Sequence, residues 1–158
     1  MAETLRPRPK VGDVIEIPTS AGLGYAQYTH EHRDPPTYGS LLRILPGVFR
    51  TRPASLAALV QQQETFLCFF PLRTACRRGL VQIAGNELIP GWAQRFPVFR
   101  TGVAGPSGHV NRWFLWDGTR ETPIADLTPE IVALPVLTGV WNDTLLAERI
   151  AAGWRPPE

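Results

Sequence analysis

The densest group of side chains that could carry chemistry lies between residues 30 and 34. His30, Glu31, His32 and Asp34 place two imidazoles and two carboxylates within five residues. On a β-strand, His30 and His32 would lie on the same face and could provide two ligands of a transition-metal site. A closed zinc site needs four ligands, however, and His109 is the one further histidine in the sequence. The pattern therefore favours a solvated polar loop over a metal centre, and we expect no metal and no cofactor.

A second candidate is a cysteine nucleophile, because Cys76 is followed directly by Arg77 and Arg78. Neighbouring cations lower the pKa of a cysteine that is exposed to solvent. The sequence contains no Gly-x-Ser-x-Gly motif, and no spacing ties Cys76 to a histidine. The other interpretation is a partly buried cysteine in a turn before a strand at Leu80–Ala84, and we favour it. A hydrolase or other enzyme that combines Cys76 or a metal with dispersed histidines remains an alternative hypothesis.

The charged residues bear on nucleotide and nucleic-acid binding. The sequence has no glycine-rich phosphate loop followed by Lys and Ser or Thr, and its single lysine is Lys10. The net charge at pH 7 is +2, which is too small to drive nucleic-acid binding by itself. A nucleic-acid-binding domain therefore remains only an alternative hypothesis, and it would use arginines in or beside loops: Arg43, Arg50, Arg52, Arg77 and Arg78.

Arginine, aromatic and histidine side chains are the residues that remain for recognition of a partner. The planar guanidinium group binds carboxylates through two hydrogen bonds, and arginine and aromatic residues are enriched in protein interfaces. We expect polar loops to leave six of these residues available for contacts with a protein partner: Tyr28, His30, His32, Tyr38, Arg77 and Arg78. Because no convincing catalytic constellation is present, the leading hypothesis is a non-enzymatic protein-binding module, with an enzyme as the alternative.

The elements that must position these residues are mainly short β-strands. The chain has 158 residues with 16 prolines and 14 glycines, a composition that excludes a helical bundle. Runs of apolar and β-branched residues between turn signals predict strands at Asp13–Ile17, Leu23–His30, Ser40–Leu45, Phe66–Phe70, Gly79–Gly85 and Pro97–Thr101. A long polar loop is expected between His30 and Gly39.

A hairpin and three helices are predicted from turn and capping residues. Arg112–Trp116 and Thr119–Thr122 are joined by Asp117-Gly118, a pair typical of two-residue type I′ turns. The C-terminal helix should cover one face of the sheet that contains this hairpin. Proline and N-cap residues predict three helices. The first spans residues 53–63, the second begins at Thr128, and the third runs from Asn142 to about Ala152.

These elements together predict an α+β fold that is mainly antiparallel β. Residues 11–45 should form part of a strongly bent, SH3-like, partly open barrel, accompanied by a few short helices and the C-terminal helix. Because Pro7 and Pro9 restrict the backbone, residues 1–10 should be an extended arm. Residues 11–158 should form a single domain. No apolar run approaches the roughly 20 residues of a membrane span, and the first ten residues lack the apolar core of a signal peptide. We therefore expect a cytoplasmic protein with no membrane partner.

The strand and turn patterns of residues 10–100 resemble a known family. Gly12–Pro18, followed by Gly24–Ala26 and then by Phe69–Leu72, Arg78–Pro90 and Phe96–Phe99, is similar to the immunity protein 26 family. The resemblance implies a bacterial protein that neutralises a cognate toxin by binding it, so that the partner would be a protein toxin. The family offers no agreed functional residues to transfer. The choice of the six contact residues above therefore depends on their residue types and expected exposure, and not on the resemblance.

Overall fold

The computed structural model describes residues 8–137 and 139–156, so residues 1–7 of the expected arm lie outside the described part, as do residues 157 and 158. The strands are β1 (Asp13–Thr19), β2 (Gly22–His32), β3 (Gly39–Ile44), β4 (Phe66–Phe70), β5 (Gln82–Asn86), β6 (Phe99–Ala104), β7 (Val110–Trp116) and β8 (Glu121–Pro123). The helices are α1 (Leu56–Val60), α2 (Leu72–Arg77), α3 (Gly91–Gln94), α4 (Pro129–Val132) and α5 (Asp143–Ala151).

Antiparallel pairing organises the strands into two sheets. The larger sheet has the order β4-β3-β2-β1-β5, and the smaller one has the order β6-β7-β8. Every neighbouring pair in both sheets is antiparallel. The α+β class, the dominance of antiparallel strands and the C-terminal helix are therefore confirmed. The larger sheet is open, and the described residues form no closed barrel.

Side chains alternate along each strand, so they point to both faces of the five-stranded sheet. Other elements cover both of these faces. One face carries Ile15, Leu42 and Phe70 and packs against α2 and α5; we call it the helix face. The opposite face packs against α1 around Val14 and against the smaller sheet around Phe69; we call it the junction face. Burial on both faces explains why β4 is a continuous apolar run without polar alternation.

The position of α5 differs from the prediction. This helix was expected to cover the sheet of the Arg112–Trp116 hairpin, but Leu146 and Ile150 instead pack on the helix face of the larger sheet. Gly24 of β2 permits the close approach, since a Cβ atom there would lie 2.5 Å from Cγ2 of Ile150. An apolar stripe identifies which side of a helix is buried, but it does not identify which sheet covers that side.

The hairpin turn also differs from the prediction. Trp116 pairs with Glu121, so four residues separate β7 and β8 and the expected two-residue type I′ turn is wrong. Oδ1 of Asp117 accepts hydrogen bonds from the backbone N–H groups of Thr119 (2.9 Å) and Arg120 (2.8 Å). Gly118 adopts a φ of 104°. The Asp-Gly pair therefore builds a turn, but its side-chain hydrogen bonds stabilise a longer one.

The helices are short. The helix predicted at 53–63 is limited to Leu56–Val60 and begins at Ser55, whose hydroxyl oxygen accepts a hydrogen bond from the N–H of Ala58 at 3.1 Å. It packs against the larger sheet through Leu59 and Val60. No helix in residues 8–137 and 139–156 combines the length and the apolar character needed to cross a membrane.

Candidate functional site

The end of β2 positions the two histidines singled out by the sequence. β2 continues to His32, so the expectation that a polar loop begins at His30 is wrong. A bulge after Tyr28 places His30 opposite Leu41 of β3. Both histidine rings then contact Phe96, with ring centroids 5.5 Å and 5.7 Å away. The two imidazoles share a face, as a strand requires, and that face is the junction face.

Both ring nitrogens of His32 are held by backbone groups. The N–H of Tyr38 donates a hydrogen bond to Nδ1 at 3.2 Å, so Nε2 carries the proton and donates it to the carbonyl of Gly118 at 2.7 Å. His30 is bound similarly, by the hydroxyl of Thr29 at 2.9 Å and the carbonyl of Gln94 at 2.8 Å. These contacts tie β2 to the smaller sheet and to the end of α3.

An aromatic group surrounds His32 where the two sheets meet. We call it the junction cluster, and it consists of His32, Tyr38, Phe69, Phe96, Phe99 and Trp116. The ring of His32 lies 4.9 Å from Trp116, edge to face, and Tyr38 stacks on Phe69 at 5.0 Å. His32 is 5% exposed and Tyr38 is half-buried. The cluster therefore packs the two sheets together. Among the described residues, no group of three or more His, Cys, Asp or Glu side chains could hold a metal ion.

Tyr28 is buried on the opposite face, so the expectation that it is available in a polar loop is also wrong. Its hydroxyl donates a hydrogen bond of 2.5 Å to Oε2 of Glu31, which also accepts one of 3.0 Å from Ser40. Burial, followed by the hydrogen bond to Glu31, raises the pKa of Tyr28 to about 12. Burial and a hydrogen bond to Glu16 raise the pKa of Tyr25 to about 12 as well.

These two tyrosines make alkaline stability a testable property. Both phenols bind their protons more tightly in the folded chain than in the unfolded chain, where the pKa is about 10. Their contribution to stability is therefore complete below pH 10 and is lost as the pH rises towards 12. Urea unfolding between pH 9 and pH 11.5 should show this decline, and Tyr28→Phe should reduce its slope. An unchanged slope in Tyr28→Phe would contradict the assignment.

Neither cysteine has the environment of a nucleophile. Cys68 and Cys76 are free thiols, and both are buried on the helix face. Burial raises the pKa of Cys68. Burial also raises the pKa of Cys76, and the negative charge of Asp13 adds to the effect. Arg77 and Arg78 therefore do not activate the Cys76 thiol, which lies within α2 rather than in a turn.

The remaining predicted contact residues are Arg77 and Arg78, at the C-terminal end of α2. Leu72, Ala75 and Cys76 are buried in the core, whereas Arg73, Arg77 and Arg78 are exposed. Arg73 and Arg77 are four residues apart and lie on the same side of the helix. We call these three arginines the arginine surface. Arg73 was not singled out by sequence reasoning, although the helical spacing between Arg73 and Arg77 was visible.

The six predicted contact residues do not form one surface. Tyr38 and His30 lie on the junction face, whereas Arg77 and Arg78 lie at the C-terminal end of α2, which packs on the helix face. The five-stranded sheet separates the two pairs. Tyr28 and His32 are buried in internal hydrogen bonds on either side of it. Arg77 and Arg78 are therefore the exposed charged residues among the six.

A buried polar network near α1 was missed. Arg43, which the nucleic-acid hypothesis needs at the surface, is 0% exposed on β3. Its Nε donates to Oε1 of Gln27 at 2.9 Å, Nη1 donates to the carbonyl of Gln62 and to Glu64, and Nη2 donates to the carbonyl of Val60. The apolar run on both sides of Arg43 was the signal for burial.

The other arginines of the nucleic-acid hypothesis also divide. Arg52 pairs with Oε1 of Glu16 at 2.9 Å, and this hydrogen bond lowers the pKa of Glu16 against the opposing effect of burial. Arg50 is exposed. With Arg43 buried and Arg52 paired, the set does not form a continuous basic surface.

Comparison with known proteins gave no match to a family model, to a curated protein or to a solved structure.

Proposed function

We propose that the chain is a non-enzymatic protein-binding module that binds an acidic surface of a partner protein through α2. The observation that carries the proposal is the arginine surface, Arg73, Arg77 and Arg78, on a helix whose other side is fixed in the core. Guanidinium groups bind carboxylates through paired hydrogen bonds, and arginine is a frequent hot-spot residue. Because the core fixes the backbone of α2, little backbone entropy is lost on binding.

The resemblance to the immunity protein 26 family supports a bacterial toxin as the partner. In this proposal the chain binds its cognate toxin in the cytoplasm and neutralises it. A toxin with an acidic surface would complement the arginine surface, and the complementary charges would accelerate association and favour the correct orientation. The negative charge of the partner is the specific expectation that α2 adds to the resemblance.

The test uses charge reversal on α2 with a matched control. Wild-type protein, the Arg77→Glu/Arg78→Glu variant and an Arg112→Glu/Arg120→Glu variant are immobilised and exposed to lysate of the source bacterium. Arg112 lies on β7 and Arg120 in the turn before β8, and both are exposed. Each variant replaces two arginines by glutamates, so the two variants change the net charge equally. Captured proteins are identified by mass spectrometry, and the purified partner is titrated by calorimetry. We expect Kd to rise at least tenfold for the α2 variant, or about 1.4 kcal/mol, and to stay within about twofold for the control.

Other outcomes count against the proposal. A partner that binds the α2 variant as tightly as wild type would show that the arginine surface is not the interface. Capture that disappears on nuclease treatment, with steeply salt-dependent binding of duplex DNA, would favour the nucleic-acid alternative.

A further inference from the structure

Arg100 is a buried cation whose charge no carboxylate of the described residues balances. The residue lies on β6 opposite Leu115 and is 3% exposed. Its Nε has no hydrogen-bond partner among the described residues. The guanidinium lies over the ring of Trp113, with 4.8 Å between Cζ and the ring centroid. A guanidinium stays charged in proteins, and a buried charge without a counter-charge is destabilising.

The second fully buried arginine shows a different arrangement. All three guanidinium nitrogens of Arg43 donate hydrogen bonds, and Glu64 supplies a counter-charge at 3.3 Å. The described part of the chain supplies neither a carboxylate within 4.0 Å of Arg100 nor a hydrogen bond to its Nε. The described part of the chain therefore gives Arg43 a counter-charge and leaves Arg100 without one.

Arg100 lines a cleft that is large enough for such a molecule. The cleft has a volume of about 380 Å³ and lies between the start of β4 and the segment 132–136. This volume is within the range of small-molecule sites. Leu67, Leu134 and Val136 provide apolar walls, and Arg155 adds a second, exposed cation.

The charges that line the cleft favour an anion. Glu64 is the acidic residue among its lining residues, but its Oε2 accepts hydrogen bonds from Arg43 and from the indole of Trp92. The carboxylate of Glu64 is thus balanced by Arg43. The positive charges of Arg100 and Arg155 remain to attract a ligand.

We infer that this cleft binds a small organic carboxylate, with the anionic head on Arg100 and an apolar body against Leu67, Leu134 and Val136. A carboxylate supplies the counter-charge and matches the planar fork of the guanidinium. The site uses β4, β6 and the segment 132–136, and none of its lining residues belongs to α2. It is therefore independent of the arginine surface and of the proposed function.

The experiment titrates the full chain with benzoate while recording amide and indole signals by ¹⁵N–¹H NMR. Benzamide is the neutral analogue of the same shape, and inorganic phosphate tests for an anion without an apolar body. We expect saturable benzoate shifts at the amides of Leu67 and Val136 and at the indole of Trp113, with a millimolar Kd. Arg100→Met should raise the Kd at least tenfold, and Arg155→Gln about threefold. Arg112→Gln, an exposed arginine on β7, should leave the Kd unchanged.

Each remaining outcome overturns the inference. Equal binding of benzoate and benzamide would show that the charge of Arg100 is not used. Binding of phosphate without benzoate would contradict the apolar part of the site. Unchanged benzoate binding by Arg100→Met would exclude that side chain. If Arg100→Met does not fold, the benzamide comparison and Arg155→Gln still decide the question.

Discussion

Arg43→Met should lower the free energy of unfolding by about 3–5 kcal/mol, the usual effect of removing one partner of a buried charge pair. Methionine retains much of the side-chain volume but donates no hydrogen bonds. The substitution would leave the amide oxygen of Gln27 and the carbonyl of Val60 without their donor, and Glu64 without its buried cation. Since small proteins are stable by only about 5–15 kcal/mol, urea unfolding should show the loss clearly.

Arg52→Met is the matched control for this prediction. Arg52 also pairs with a carboxylate, Glu16, but 44% of its side chain is exposed. Exposed ion pairs contribute about 0–1 kcal/mol, so this variant should change stability by no more than that. Equal losses in Arg43→Met and Arg52→Met would show that the buried network does not stabilise the fold more than a surface pair does.

His32→Ala should destabilise the protein by about 3 kcal/mol, because it removes packing and two hydrogen bonds together. The ring lies against Trp116 and Phe96, and the substitution would leave the N–H of Tyr38 and the carbonyl of Gly118 without partners. The junction cluster joins the two sheets. Amide hydrogen exchange in β6 to β8 should therefore accelerate more than exchange in β1 to β4.

His30→Ala provides the comparison for this local effect. His30 is half-buried, contacts Phe96 and is bound to Thr29 and to the carbonyl of Gln94. Its loss should lower stability by about 1 kcal/mol, roughly the value of one hydrogen bond. Uniform acceleration of exchange in both sheets by His32→Ala would contradict the role of the junction cluster in holding the smaller sheet.

Features that depend on neighbouring residues were predictable from the sequence. The apolar run Phe66–Phe70 coincides with β4. Thr128 and Asn142 cap α4 and α5 as predicted, with their side-chain oxygens accepting hydrogen bonds from backbone N–H groups three residues later. Strand periodicity and N-caps act over a few residues, so a short stretch of sequence contains the information that they need.

Features that depend on distant residues were not predictable in the same way. The stripe of α5 indicated which residues are buried, but the close approach allowed by Gly24 determines that the helix packs on β2. Arg43 lies within a predicted strand, but only its partners Gln27 and Glu64 make burial of its charge favourable.

The candidate site follows the same division. The sequence by itself determined the residue types that could bind a partner and placed Arg77 and Arg78 together, because they are adjacent. Only the tertiary structure decided that Tyr28 and His32 are internal and that Arg73 joins the arginine surface. It also decided that Arg100 lies buried beside a cleft. Exposure is set by which sheet faces and helices cover a residue, and those contacts are made between segments far apart in the chain.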